Sequence, residues 1–277
     1  MLNNRTAPSL GLILAFTLLT SCVYYNGDGS WGVFNDDWGN IRGSGYTETE
    51  IRPVSGIRSV RLDNQGDLSI ELGDTESLVV EADDNLLPYI VTEVRGGELH
   101  IYNEGSNRVR NRVPIRYYLT VKSLEGLEIG SAGSINAPDL SADRFEIGIS
   151  STGNLVMGDL KAGAVDIDVS STGDVMMRRL EAASLDVNIS STGHVSIRDG
   201  RVSGQKIRIS STGSYEAMDL GSDVAEVRLS STGSAFILVN DYMEAILNST
   251  GSVHYRGEAR TDIRRNSVGR AILVSRR

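Results

Sequence analysis

The amino-acid sequence predicts an all-β fold, a right-handed parallel β-helix (solenoid) built from coils of about 20 residues. Three observations carry this. Ser-Ser-Thr-Gly recurs with its glycines at 153, 173, 193, 213 and 233, and a variant ends at Gly251. Weaker echoes place glycines at 133 and 269, so five steps of twenty residues are followed by two of eighteen. Around each glycine the same slots are apolar, and the residues between them are polar.

Aligned on the glycine, the slot two residues on holds Ile135, Leu155, Val175, Val195, Tyr215, Ala235 and Val253. The slots before each corner pair Ile147 with Ile149, Ile167 with Val169, Val187 with Ile189 and Ile207 with Ile209. A third column holds Leu140, Leu160, Leu180 and Leu220; Gly200 interrupts it, with Val202 close by to fill the gap. Because strand side chains alternate between faces, three such columns describe a three-sided coil with a dry interior. One coil cannot bury its inward set, so stacking makes the core. Residues 51–277 would form roughly eleven rungs at about 4.8 Å spacing.

The repeated corner, Ser151-Thr152-Gly153, Ser171-Thr172-Gly173, Ser191-Thr192-Gly193, Ser211-Thr212-Gly213, Ser231-Thr232-Gly233 and Ser249-Thr250-Gly251, reads as structural. Glycine is expected to adopt a backbone angle that a Cβ resists. The hydroxyls are expected to satisfy the turn and to bond from rung to rung. A catalytic reading needs a base and an orienting partner beside the nucleophile. The chain has three histidines, and of these only His194 adjoins a corner, in a slot that is Asn, Asp or Ser elsewhere. No catalytic residue, metal ligand or cofactor is therefore expected, and the corner lacks the carboxylates of a calcium-binding coil. An outward column, Glu146, Asp166, Asp186, Glu226 and Glu244, would need Arg208 and Arg228 or cations to offset like charges.

The ends differ from the middle. Leu10 to Leu19 is an apolar run too short to span a bilayer. With Leu19-Thr20-Ser21-Cys22 after it, 1–21 reads as a signal peptide and Cys22, the single cysteine, as a lipidation site. Residues 22–50, aromatic and without a period, read as a flexible tether. Irregular coils are expected over 51–123, with 103–113 a loop and Asp83 to Pro88 a turn or one helical turn. Regular coils cover 124–255, and 256–277 read as a cap with Arg265 at an inward slot. A net charge of −9 argues against a nucleic-acid partner. Val156, Met176 and Phe236 share one outward slot and suggest a contact surface for a homo-oligomer.

The run Val54 to Leu62, the segment Asp83 to Ile90, Gly97 to Ile101 and the serial Ser-Ser-Thr-Gly corners resemble the head GIN domain of putative autotransporter adhesins, over about 54–255. The resemblance implies a β-helical envelope protein and transfers no catalytic residue. The expected function is a non-enzymatic lipoprotein of the bacterial cell envelope, held to the outer membrane through Cys22 and displaying an adhesin-like or scaffolding domain to a glycan or protein. The alternatives are a polysaccharide-binding or polysaccharide-degrading β-helix and a self-assembling structural protein.

Overall fold

The computed structural model describes residues 23–25, 31–33, 40–105 and 108–275, in two units, 1–40 and 41–277. In the first, Val23–Tyr25 pairs antiparallel with Trp31–Val33. Cys22 and the signal segment lie outside the described residues.

The second unit is a parallel β-solenoid of about seven turns. Residues 126–129, 146–149, 166–169, 186–189, 206–209, 226–229 and 244–247 pair in sequence, each in parallel with the next. The strands that follow each corner stack likewise from Ser134–Ala137 to Arg270–Leu273. The ladder steps over Gly158 and Gly163 of the long strand Asn154–Val169, which separate the sides of one coil. The inward columns are buried: Leu155, Val175, Val195, Tyr215, Ala235 and Val253 are fully enclosed, as is Val202 beside the break at Gly200. Each enclosed Val, Leu or Ile contributes about 1.5–3 kcal/mol, so a coil's stability comes from the neighbours that cover it.

The first part departs from the expected run of eleven rungs. Thr47–Arg52 runs antiparallel to Ser77–Asp83, which runs antiparallel to Arg116–Val121. Ile90–Arg95 and Glu98–Asn103 form a hairpin closed by Gly96 and Gly97, both at positive φ (62° and 92°). Two consecutive left-handed residues make the tight turn that matches strand twist, and this reverses the chain where a coil would have continued it. The parallel stack reaches into this part through Ser59–Leu62 and Asp67–Leu72, and ends on Glu98–Asn103 and Arg116–Val121. Residues 47–50, read as tether, are strand, and Arg108–Arg110 is a strand inside the expected loop. Leu87–Tyr89 forms the single helical turn expected near Pro88.

Buried Asp83 binds this region together. Its carboxylate accepts from the backbone N–H of Gly45 (2.7 Å), Arg112 (2.9 Å) and Val113 (3.2 Å). Burial pushes its pKa up, but these donors outweigh burial and hold it below the ordinary carboxylate value.

Candidate functional site

The corners form one edge of the solenoid. Ser150, Thr152, Ser170, Thr172, Ser190 and Thr192 are exposed, Ser151, Ser171 and Ser191 half-buried, and the glycines buried. The same exposure pattern holds at Ser211-Thr212-Gly213, Ser231-Thr232-Gly233 and Ser249-Thr250-Gly251. The reason for glycine differs from the expected one. None of the corner glycines is at positive φ. A Cβ on Gly233 would instead lie 2.5 Å from Ile209 Cγ2, 2.7 Å from Gly213 O and 2.9 Å from Ser211 O. Glycine is required there because successive coils approach too closely for any side chain.

The corner is tied together by main chain. Ser170 N donates to Ile149 O (2.9 Å), Ser190 N to Val169 O (3.0 Å) and Gly233 N to Ser211 O (2.9 Å). The expected hydroxyl ladder is absent among the described residues: no Ser-Thr pair of these corners makes a side-chain hydrogen bond, while the corner carbonyls accept from the next coil. Side-chain stacking at the corner occurs where asparagine replaces serine, Asn266 Nδ2 donating to Asn248 Oδ1 at 2.8 Å.

Two broad faces flank this edge. The first carries the expected acidic column, which is offset by arginines. Arg208 meets Asp186 at 2.7 Å, Arg228 meets Glu226 at 3.5 Å and Arg144 meets Asp166 at 2.6 Å. Arg144 sits two residues before Glu146 on the same side of the coil and reaches across one rung to Asp166. Among the described residues no three of His, Cys, Asp or Glu gather as a metal site.

The second face bears an outward column whose order is fixed by register: Tyr118, Ser69, Asn136, Val156 and Met176 are successive neighbours. Tyr118 is 44% exposed and Val156 42%. With Asp67, Arg116, Ser134 and Asn154 alongside, they line a shallow trough of about 530 Å³. Phe236, expected in this slot, does lie there, but Ser196 and Glu216 separate it from Met176. Its ring stacks on His254 instead, with centroids 4.6 Å apart.

His194 lies beside both a hydroxyl and a carboxylate, in a triad-like order. Its Nδ1 lies 2.7 Å from Ser214 Oγ, and its Nε2 lies 3.9 Å from Glu216 Oε2, beyond hydrogen-bond reach. All three project from a flat sheet, so a substrate carbonyl there would meet a hydroxyl without an enclosing wall.

Comparisons with known proteins agree with this architecture. A family model described as "Putative auto-transporter adhesin, head GIN domain" matches residues 58–259. A solved structure described as a putative lipid binding protein from Parabacteroides distasonis is similar at a TM-score of 0.79 and 24% identity, covering 85% of this chain and 100% of that one. A putative adhesin from Parabacteroides merdae reaches 0.79 at 18% identity, over 86% of this chain and 100% of its own. A second Parabacteroides distasonis structure, described as a putative adhesin, reaches 0.73 at 20% identity, over 85% and 100%. No curated protein matches. Among the described residues no helix is long and apolar enough to cross a membrane.

Proposed function

The chain belongs to the auto-transporter adhesin head GIN domain family, and from that premise we propose that it is a non-enzymatic adhesion module of the bacterial cell envelope that holds an extended neutral polysaccharide along the trough beside Tyr118. The observation that carries this reading is the composition of the outward column on the second face, in which Tyr118, Val156 and Met176 share a strip with Ser69 and Asn136. Sugar rings present apolar C–H faces and a rim of hydroxyls. An exposed tyrosine ring receives the first, and Ser69, Asn136 and Asn154 receive the second; of the two charged residues lining the trough, Arg116 is already paired with Glu81 at 2.6 Å. A straight strip along a rod suits a polymer better than a compact ligand.

The anchor in this reading is acyl lipid on Cys22, supported by Leu19-Thr20-Ser21-Cys22 after a short apolar run. Incorporation of labelled palmitate by the wild-type chain, lost in Cys22→Ser, tests it. A panel of neutral and acidic glycans tests the adhesion reading. Saturable binding to neutral glycans that Tyr118→Ala weakens about tenfold or more, without turnover, supports it. Turnover of any glycan overturns the non-enzymatic half. Binding only to lipid vesicles, the ligand class named for one structural neighbour, overturns the glycan half.

A further inference from the structure

We infer that the two ends of the solenoid are complementary, and that a second copy of this chain docks head to tail, the first strand of one body on the last turn of the next. This surface is separate from the Tyr118 trough.

Among the described residues both faces of the solenoid end in strands with one unpaired edge. Among the described residues Thr47–Arg52 pairs only with Ser77–Asp83, and Arg270–Leu273 only with Ser252–Arg256; they close opposite ends of one sheet. Ile90–Arg95 and Arg260–Arg265 do the same for the other face. Such edges carry rows of unpaired N–H and C=O groups, which template another strand. Strand direction also fits. Thr47–Arg52 is separated from the parallel stack by two antiparallel steps, so it runs in the direction of the coil strands. Laid on Arg270–Leu273 of another copy, it would continue the sheet in parallel, as every coil already does.

Apolar exposure is concentrated at the same two places. Of the nine large hydrophobic residues exposed among those described, Tyr46 and Ile51 (77%) lie at the first edge, and Val268, Ile272 and Leu273 (61%) at the last.

Charge then selects the pairing. In the first strand Glu48 and Glu50 sit opposite buried Ala82 and Val80, so they lie over the end of the core. In the last turn Arg265, on the adjoining face and one corner before Arg270–Leu273, lies over the opposite end of the core against buried Leu247. Residues 260–270 hold four arginines and one aspartate. Glu48 and Arg265 have no ion-pair partner among the described residues. Two last turns would repel each other, whereas a first strand and a last turn attract. A contact between unlike ends does not close on itself and grows open-ended.

Sedimentation velocity on the Cys22→Ser chain, so that no acyl group drives association, tests this over rising protein concentration. Open-ended growth, weakened by salt, is expected. Arg265→Glu and Glu48→Arg are each expected to raise the concentration of half-assembly about tenfold, while their equimolar mixture regains growth because the reversed charges again match. Circular dichroism of each variant confirms folding. A wild-type chain that stays monomeric throughout overturns the inference without reference to any variant. So does a closed dimer, or a mixture that fails to regrow.

Discussion

Residues 124–255 and residues 41–123 share one core but are held together differently. In the regular coils every turn is covered by a near copy of itself, the interior is almost all hydrocarbon, and the main chain bonds rung to rung in a register that shifts only after Ala217 and Ser222. In the first part the chain reverses twice and depends on single polar ties such as Asp83 and the hydrogen bond from buried Asn64 to Asn103 (2.9 Å). A repeated unit tolerates having no unique polar anchor because its neighbours fix it. A region without the repeat needs interactions that occur once.

Substitutions can break this contrast, and the largest effect is expected in the regular half. Gly233→Val forces atoms between coils that touch already, and is expected to cost about 3 kcal/mol or more in thermal or chemical unfolding. By comparison Gly56, at φ 74° with open space around its Cβ position, needs glycine only for its backbone angle; Gly56→Ala is expected to cost about 1 kcal/mol.

Asp83→Asn comes next. It exchanges a carboxylate that accepts three N–H bonds for an amide that turns a donor toward some of them, and should cost about 2 kcal/mol. The pH dependence has a definite sign. The folded pKa lies below the unfolded one, so the contribution is complete above the ordinary carboxylate value of about 3.9 and fades as pH falls from there toward the depressed value. Acid unfolding followed by circular dichroism should show this loss in the wild type and not in Asp83→Asn.

Tyr215 is the polar exception inside the regular half. Its hydroxyl donates to Gln205 Oε1 (3.1 Å), whose amide donates to Ser222 Oγ (2.7 Å), and that hydroxyl donates to Leu238 O (2.8 Å). Full burial pushes the Tyr215 pKa up, so it stays a neutral donor. Tyr215→Phe leaves Gln205 short of one partner and should cost about 1 kcal/mol. The smallest effect is expected at the corner hydroxyls. Thr152→Ala removes no hydrogen bond and should change stability by less than about 0.5 kcal/mol.

The regular half was readable because its signal is redundant. Six corners and three columns repeat the same statement, and nearly every inward residue they name is buried. Arg208 and Arg228 as partners of the acidic column were readable too, since strand register puts them within one rung. The antiparallel steps before residue 124 were not. Val60, Leu62, Leu68 and Ile70 alternate as coil residues do, and alternation records which face is dry but not which way the neighbouring strand runs.

By itself, then, the sequence determined that coils stack and which side chains they enclose, because a period of twenty with period-two alternation leaves a single way to bury the apolar set. Only the tertiary structure decided why the corners need glycine and where the hydroxyls go. Both depend on the distance between coils, and that distance is set by backbone hydrogen bonds between residues about twenty positions apart, a spacing at which local propensity is silent.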